Sequence, residues 1–149
     1  SIERLLLEQL VLEGVVIDCR HIMGNEPIIP QVLDGIDIAG KAVLFHTGWS
    51  RYWKQMAYYD HPFVMEQTAI TLVERGARLA GVDFLVIDDT NNPRRPAHVN
   101  LLKNNVLIVE NLTNLDKLPA AGFTFHAVPV KVRGAAAFPV RAYAMLPGA

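Results

Sequence analysis

Cysteine is nearly absent from this chain: Cys19 is the single one in 149 residues. That excludes an internal disulfide framework and a multi-cysteine zinc site, and it fits a reducing compartment, read here as the cytoplasm. Long apolar runs are missing too. None reaches the ~20 residues a membrane-spanning helix needs. The first segment carries Glu3, Arg4, Glu8 and Glu13, which a secretory signal would not tolerate. Basic clusters are also lacking. Lys and Arg total 14 against 15 Asp and Glu, a formal charge of -1, so the electrostatic footprint of a nucleic-acid binder is absent. There is no G-x-G-x-x-G, no P-loop and no G-x-S-x-G, which removes the usual nucleotide cradles and the nucleophile elbow. No repeat or low-complexity tract occurs.

What is present is a chain 51% hydrophobic and only 19% charged. Such a composition can offset its ordering entropy, and the length suits one domain, taken as residues 1–149. Leu5, Leu6, Leu7, Leu10 and Val11 recur at three- to four-residue steps, as on one face of a helix or in an irregular approach to a strand. After Gly14 the run Val15 to Cys19 reads as a buried strand, and Ala42 to His46 as a second. Gly24, Pro27 and Pro30 mark residues 22–31 as a loop, with a helical turn around Gln31 to Leu33. The aromatic stretch Tyr52 to Phe63 reads as a surface excursion.

Pro62 is placed as a first-turn proline for a helix with Met65, Ala69, Leu72 and Val73 on its apolar face and Gly76 as its stop. Leu79 to Val82 and Phe84 to Ile87 are strand material broken by Asp83. A polar loop from Asp88 to Pro96 leads to a helical turn at Leu101 and Leu102, a strand at Val106 to Val109 and a further turn at Leu112 to Leu118. Phe123 to Val132 and Val140 to Met145 close the domain as strands. Strands separated by helices define an α/β or mixed β/α architecture.

The five histidines are the first candidates for chemistry, because imidazole serves both as metal ligand and as proton shuttle near neutral pH. His21 reads as a surface residue, His61 as a turn residue before proline, and His126 as a core or solvent-facing strand residue. His98 differs, because it stands just before a strand that ends in Glu110. A carboxylate closing an otherwise apolar strand is costly unless paired or bound to a cation. His98 and Glu110 could therefore supply two ligands for Zn²⁺ or Mn²⁺; equally, Glu110 could cap the following turn with His98 merely exposed. The other constellation is His46-Thr47-Gly48-Trp49. Its glycine permits close approach of a ligand and its tryptophan offers a wall for an aromatic substrate, the alternative being a packed corner. Cys19 lies in apolar sequence and reads as a small core residue.

Several of these stretches together resemble the putative cyclase family, whose members include bacterial kynurenine formamidases. They are Val15 to Asp18, Gly40 to Ser50, Leu72 to Gly76 with Gly81 to Asp83, and His98 to Leu102. Further along come Glu110 to Pro119, Pro129 to Gly134 and Pro139 to Ala142. The resemblance implies a swivelling β/β/α-type domain, a mixed, barrel-like sheet flanked by helices, that carries a metal-dependent amide hydrolase site. It implies that His98 and Glu110 are metal ligands for one or two divalent ions, zinc or manganese. It also implies an N-formyl or cyclic aromatic amide substrate, such as N-formyl-kynurenine, beside His46 and Trp49.

The family's His-x-Gly-Thr-His-x-Asp-x-Pro-x-His signature, which supplies most of its ligands and its acid/base histidine, has no match in this chain, so no catalytic residue is assigned. Three expectations stand side by side. The domain lacks an N-terminal section; or a partner chain completes it; or it keeps the fold as a non-catalytic binding or subunit protein. A homo-oligomer is expected in each case, because an incomplete domain leaves sheet edge or core to be covered.

Overall fold

The structure is a computed structural model and describes residues 1–148. Among the described residues eight strands and two α-helices carry the architecture, joined by short 3-10 turns. The strands are β1 (Val11–Asp18), β2 (Pro27–Ile28), β3 (Ala42–His46), β4 (Phe63–Val64), β5 (Leu79–Val82), β6 (Leu107–Val109), β7 (Phe123–His126) and β8 (Tyr143–Met145). The helices are α1 (Glu66–Glu74) and α2 (Pro96–Lys103).

Six strands form one open mixed sheet in the order β6-β5-β3-β1-β7-β8. Four of them run parallel: β1 beside β3, β3 beside β5, and β5 beside β6. The last two turn back, with β7 antiparallel to β1 and β8 antiparallel to β7. β2 and β4 make a separate parallel pair. The expected α/β class with a mixed sheet flanked by helices is what the chain forms.

The central strands are apolar on both faces because both faces are covered. Val15, Ile17, Val43, Phe45, Ala80 and Val82 point into one core, which α1 and α2 close with Ala69, Leu72, Ala97 and Leu101. Leu12, Ala42, Leu44, Leu79, Phe123 and Phe125 point the other way, beneath Leu112 and Leu115. That second layer depends on Gly81. A Cβ there would stand 2.6 Å from a Leu44 methyl and 2.8 Å from a Leu112 methyl, so only glycine lets Leu112 close on the sheet.

Several boundaries differ from the expectation, each for a physical reason. Leu5 to Val11 forms no helix; two 3-10 turns, Ile2–Arg4 and Leu7–Gln9, precede a strand that already begins at Val11. Strand pairing with β7 through Val11 to Gly14 recruits those residues. Pro62 is not the first residue of a helix; it precedes β4, and α1 starts at Glu66. The stop at Gly76 holds, with φ +78 and its N–H donating to Val73 O.

Phe84 to Ile87 is no strand. Phe84 and Ile87 are fully buried, but the backbone bends there and its groups bond elsewhere, with Asn111 N donating to Phe84 O. The loop at 22–31 contains the two-residue β2. β7 ends at His126 and β8 covers only Tyr143–Met145, both shorter than the apolar runs suggested. The aromatic excursion is partly interior, since Tyr58 and His61 are buried.

Candidate metal-ligand cluster at the strand ends

All four parallel strands finish in a polar residue at the same edge of the sheet. β1 ends in Asp18 and β3 in His46, while Asp83 follows β5 and Glu110 follows β6. In α/β sheets the carboxyl ends of parallel strands are where ligands bind.

The densest cluster joins Asp88, His98 and Glu110. His98 sits in the first turn of α2, whose start is built from outside the helix. The Asp88 carboxylate accepts hydrogen bonds from Ala97 N at 2.7 Å and His98 N at 3.0 Å, satisfying two of the amides a helix leaves free at its N-terminus. Pro96 occupies the first helical position, where its missing N–H costs nothing. Asp88 Oδ2 also lies 2.6 Å from His98 Nδ1. On the opposite side of the ring, Nε2 is 3.2 Å from Glu110 Oε1, which in turn accepts from Ile87 N at 3.0 Å. Arg95 reaches in as well, its Nη2 2.9 Å from the same Nε2.

Electrostatics follow from that arrangement. Burial disfavours the charged His98 ring, but hydrogen bonds to Asp88 and Glu110 outweigh it and push the pKa up to about 9, with Arg95 opposing. Burial also works against ionised Asp88, yet the bonds from the His98 side chain and from the His98 and Ala97 amides hold its carboxyl below the usual value.

The second constellation is a corner held by Asp83. That carboxylate accepts from Thr47 N at 3.1 and 3.0 Å, from Thr47 Oγ1 at 2.5 Å and from Gly48 N at 2.7 Å. Burial pushes its pKa up, against those bonds. Gly48 has φ +76, the conformation that lets the chain turn into the 3-10 segment Trp49–Tyr52.

His46 is half-buried at the end of β3. Trp49 is 8% exposed, packed into the core beneath Gly24, with its indole N–H donating to Ala57 O at 3.1 Å. Among the described residues no hydrogen bond, ion pair or ring contact joins His46 or Trp49 to the His98–Glu110 pair. The open aromatic face belongs instead to Trp53, 57% exposed. It borders a cavity of ≈ 310 Å³ with Ser50, Tyr58, Asn111, Leu112 and Thr113, one residue beyond Glu110. Tyr58 OH donates to Asn111 Oδ1 across it at 2.8 Å.

The structure thus brings His98 and Glu110 together. Sequence reasoning passed over Asp88, Asp83 and Arg95. Asp83 could have been found by the argument used for Glu110, since it too closes an all-apolar strand. Asp88 carried no such mark in its polar loop. His21 is exposed, as read from the sequence. His61 is 3% exposed, stacked on Phe84, with Nδ1 at 2.5 Å from Pro62 O.

Fold and site together define an α/β protein with a carboxylate–imidazole cluster at the ends of its parallel strands. The profile of the family described as Putative cyclase matches residues 1–89, and the chain belongs to that family.

An uncharacterised protein of Methanocaldococcus jannaschii is 31% identical over 109 residues, covering 70% of this chain and 53% of its own length. A kynurenine formamidase of Maricaulis maris is 30% identical over 138 residues, covering 88% of this chain and 64% of its own. The chain thus spans about half to two thirds of the length of these two relatives. Among solved structures, isatin hydrolase A from Labrenzia aggregata superposes with TM-score 0.87 at 27% identity, over 98% of this chain and 65% of that one. A predicted metal-dependent hydrolase from Bacillus stearothermophilus superposes with TM-score 0.78 at 30% identity, over 92% of this chain and 64% of that one.

Proposed function

We propose that this chain supplies His98 and Glu110 to a divalent-metal site of a hydrolase that opens an N-formyl or cyclic aromatic amide. The observation that carries the reading is the convergence of His98 Nε2 and Glu110 Oε1, 3.2 Å apart, at the carboxyl ends of the parallel strands. The donor set fits a cation in part. One imidazole nitrogen and one carboxylate oxygen are borderline-hard donors that zinc and manganese both accept. Among the described residues no group of three or more His, Cys, Asp or Glu is placed to hold one metal ion together, so further donors would have to come from elsewhere in the working assembly. When bound, the metal supplies a Lewis acid for the scissile carbonyl and an acidified water.

The chain's own residues hold the site. Glu110 is anchored by Ile87 N, and His98 by Asp88 and the first turn of α2. The cavity beside Trp53 and Tyr58, lined also by Asn111, has room for an aryl group, and His46 at the end of β3 with Trp49 in the corner after it would border the substrate from the neighbouring strand end. The homologous formamidases and isatin hydrolases support an aromatic amide as substrate.

Exposed Trp53, Met56 and Tyr59 suit burial against a second copy, which would make the working unit a homo-oligomer. Among the described residues no helix is long and apolar enough to cross a membrane. Cys19 is free and buried, as suits the cytoplasm.

Metal content per chain, read by elemental mass spectrometry on the purified assembly, tests the reading. About one or two equivalents of zinc or manganese are expected, lost in His98→Ala and Glu110→Gln together with hydrolysis of N-formyl-kynurenine or isatin. Full activity in either variant would sink the assignment. The presence of only two converging donors favours one rival, a non-catalytic binding or subunit protein on this fold; an assembly that takes up neither ion and cleaves neither substrate would establish it.

A further inference from the structure

Two carboxylates face the two nitrogens of one imidazole, and a neutral ring has a single proton to offer. We infer that Asp88 is a positioning residue that, whenever the ring is neutral, keeps its one proton on His98 Nδ1 and leaves the lone pair on Nε2, the nitrogen nearest Glu110. The inference rests on the metal-site reading only for its purpose, since the ring geometry stands without it.

Three observations carry it. The Nδ1–Asp88 contact is 2.6 Å, against 3.2 Å for Nε2–Glu110, so the stronger bond lies on the Asp88 side. Asp88 cannot turn away, because its oxygens are already fixed by Ala97 N and His98 N and its side chain is 2% exposed, whereas that of Glu110 is 26% exposed. Finally, Arg95 Nη2, which can only donate, stands 2.9 Å from Nε2, and a nitrogen that carries hydrogen could not accept from it.

The consequence is chemical. A metal needs a bare ring nitrogen, and a carboxylate on the opposite nitrogen both selects that tautomer and raises the basicity of the ligand. Asp88 would therefore aim Nε2 at a cation shared with Glu110, which would take the place of the Arg95 guanidinium, while serving as the external cap of α2. Its two roles share the same pair of oxygens, so helix start and ligand orientation are set by one side chain.

The test begins with the unmodified chain. Nitrogen-15 spectra of the imidazoles are recorded along an alkaline pH series until the His98 ring is neutral, with circular dichroism confirming the fold. His98 should show a pyrrole-type Nδ1 and a pyridine-type Nε2. The reverse pattern, or an even mixture, overturns the inference.

Glu110→Gln should leave the tautomer unchanged, and Asp88→Ala should transfer the proton to Nε2, facing Glu110. An unchanged tautomer in folded Asp88→Ala also overturns it. Should Asp88→Ala fail to fold, the wild-type and Glu110→Gln spectra still decide. Calorimetric titration with Mn²⁺ or Zn²⁺ adds a second readout, with Asp88→Ala expected to weaken binding by about 10- to 100-fold. The expected tautomer without metal uptake would leave Asp88 as assigned and overturn the metal site. Metal uptake with the opposite tautomer would do the converse.

Discussion

Asp83 and Asp88 lie five residues apart, and each is 1% exposed. They nevertheless titrate in opposite directions. Every donor to Asp83 is neutral: the Thr47 and Gly48 amides and the Thr47 hydroxyl. Burial wins there, and its carboxyl is pushed up. Asp88 receives two backbone amides and, in addition, an imidazole that can carry charge. For Asp88 the bonds win, and its carboxyl is pushed down. Equal solvent exposure therefore does not give equal chemistry: Asp83 lies deeper in the protein and has only neutral donors, whereas Asp88 has an imidazole beside it. A carboxylate met only by neutral donors braces a corner, and one met by imidazole sets the state of its partner.

The largest effect expected from breaking this contrast is on stability. Asp83→Ala leaves the buried Thr47 amide and hydroxyl and the half-buried Gly48 amide without their acceptor, and should cost about 3 kcal/mol in urea denaturation. A cost below about 1 kcal/mol would mean that Asp83 does not hold the Thr47–Gly48 corner.

Next in size is the pH response of the other aspartate's partner. His98 has its pKa raised from 6.5 to about 9. Its contribution is therefore fully present below pH 6.5 and is lost as pH rises towards 9. Because the ring is partly open to solvent, a decline of about 1–2 kcal/mol is expected across that interval, absent in His98→Gln. A wild type and a His98→Gln variant with the same alkaline slope would break the prediction.

At the acid end the two aspartates should pull in opposite directions. Asp88 stabilises above the ordinary carboxylate pKa and loses its contribution as pH falls through its lowered value. Asp83, with its raised value, favours the protonated native state and adds stability as pH falls towards 3.8. Asp83→Asn should therefore steepen the acid-side loss of stability, whereas Asp88→Asn should flatten it. Melting temperatures between pH 3 and 6 in the two variants would show the crossed slopes or their absence.

The smallest change concerns Arg95, which stands at the start of α2 with φ +48, a left-handed conformation costly to a side-chain residue. Arg95→Gly should be neutral or stabilising by about 0.5–1 kcal/mol. A clear destabilisation would show that the guanidinium contact with His98 outweighs the backbone strain.

The sheet was largely legible in the sequence. Val15 to Asp18, Ala42 to His46 and Leu79 to Val82 are apolar runs of strand length, and they pair as parallel neighbours. Phe84 to Ile87 had the same apolar character and misled, because hydrophobicity reports burial, and burial does not require a ladder partner. The Leu5 to Val11 pattern failed for a related reason: pairing with β7 claimed Val11 and Leu12 for the sheet. Glu110 could be singled out because a carboxylate at the end of an apolar strand is a local anomaly. Trp49 could not be placed: its fit beneath Gly24 depends on a segment 25 residues away in sequence.

Sequence alone thus determined which side chains are apolar enough to form the sheet, and that His98 and Glu110 were the pair worth attention. Only the tertiary structure decided that Asp88 stands at Nδ1, that Glu110 and Arg95 meet at Nε2, and that Asp83 is left with neutral donors. The reason is one of range. Apolar pattern is written in neighbouring residues, whereas a hydrogen-bond partner is fixed only when the chain between residues 88, 98 and 110 has closed around the strand ends.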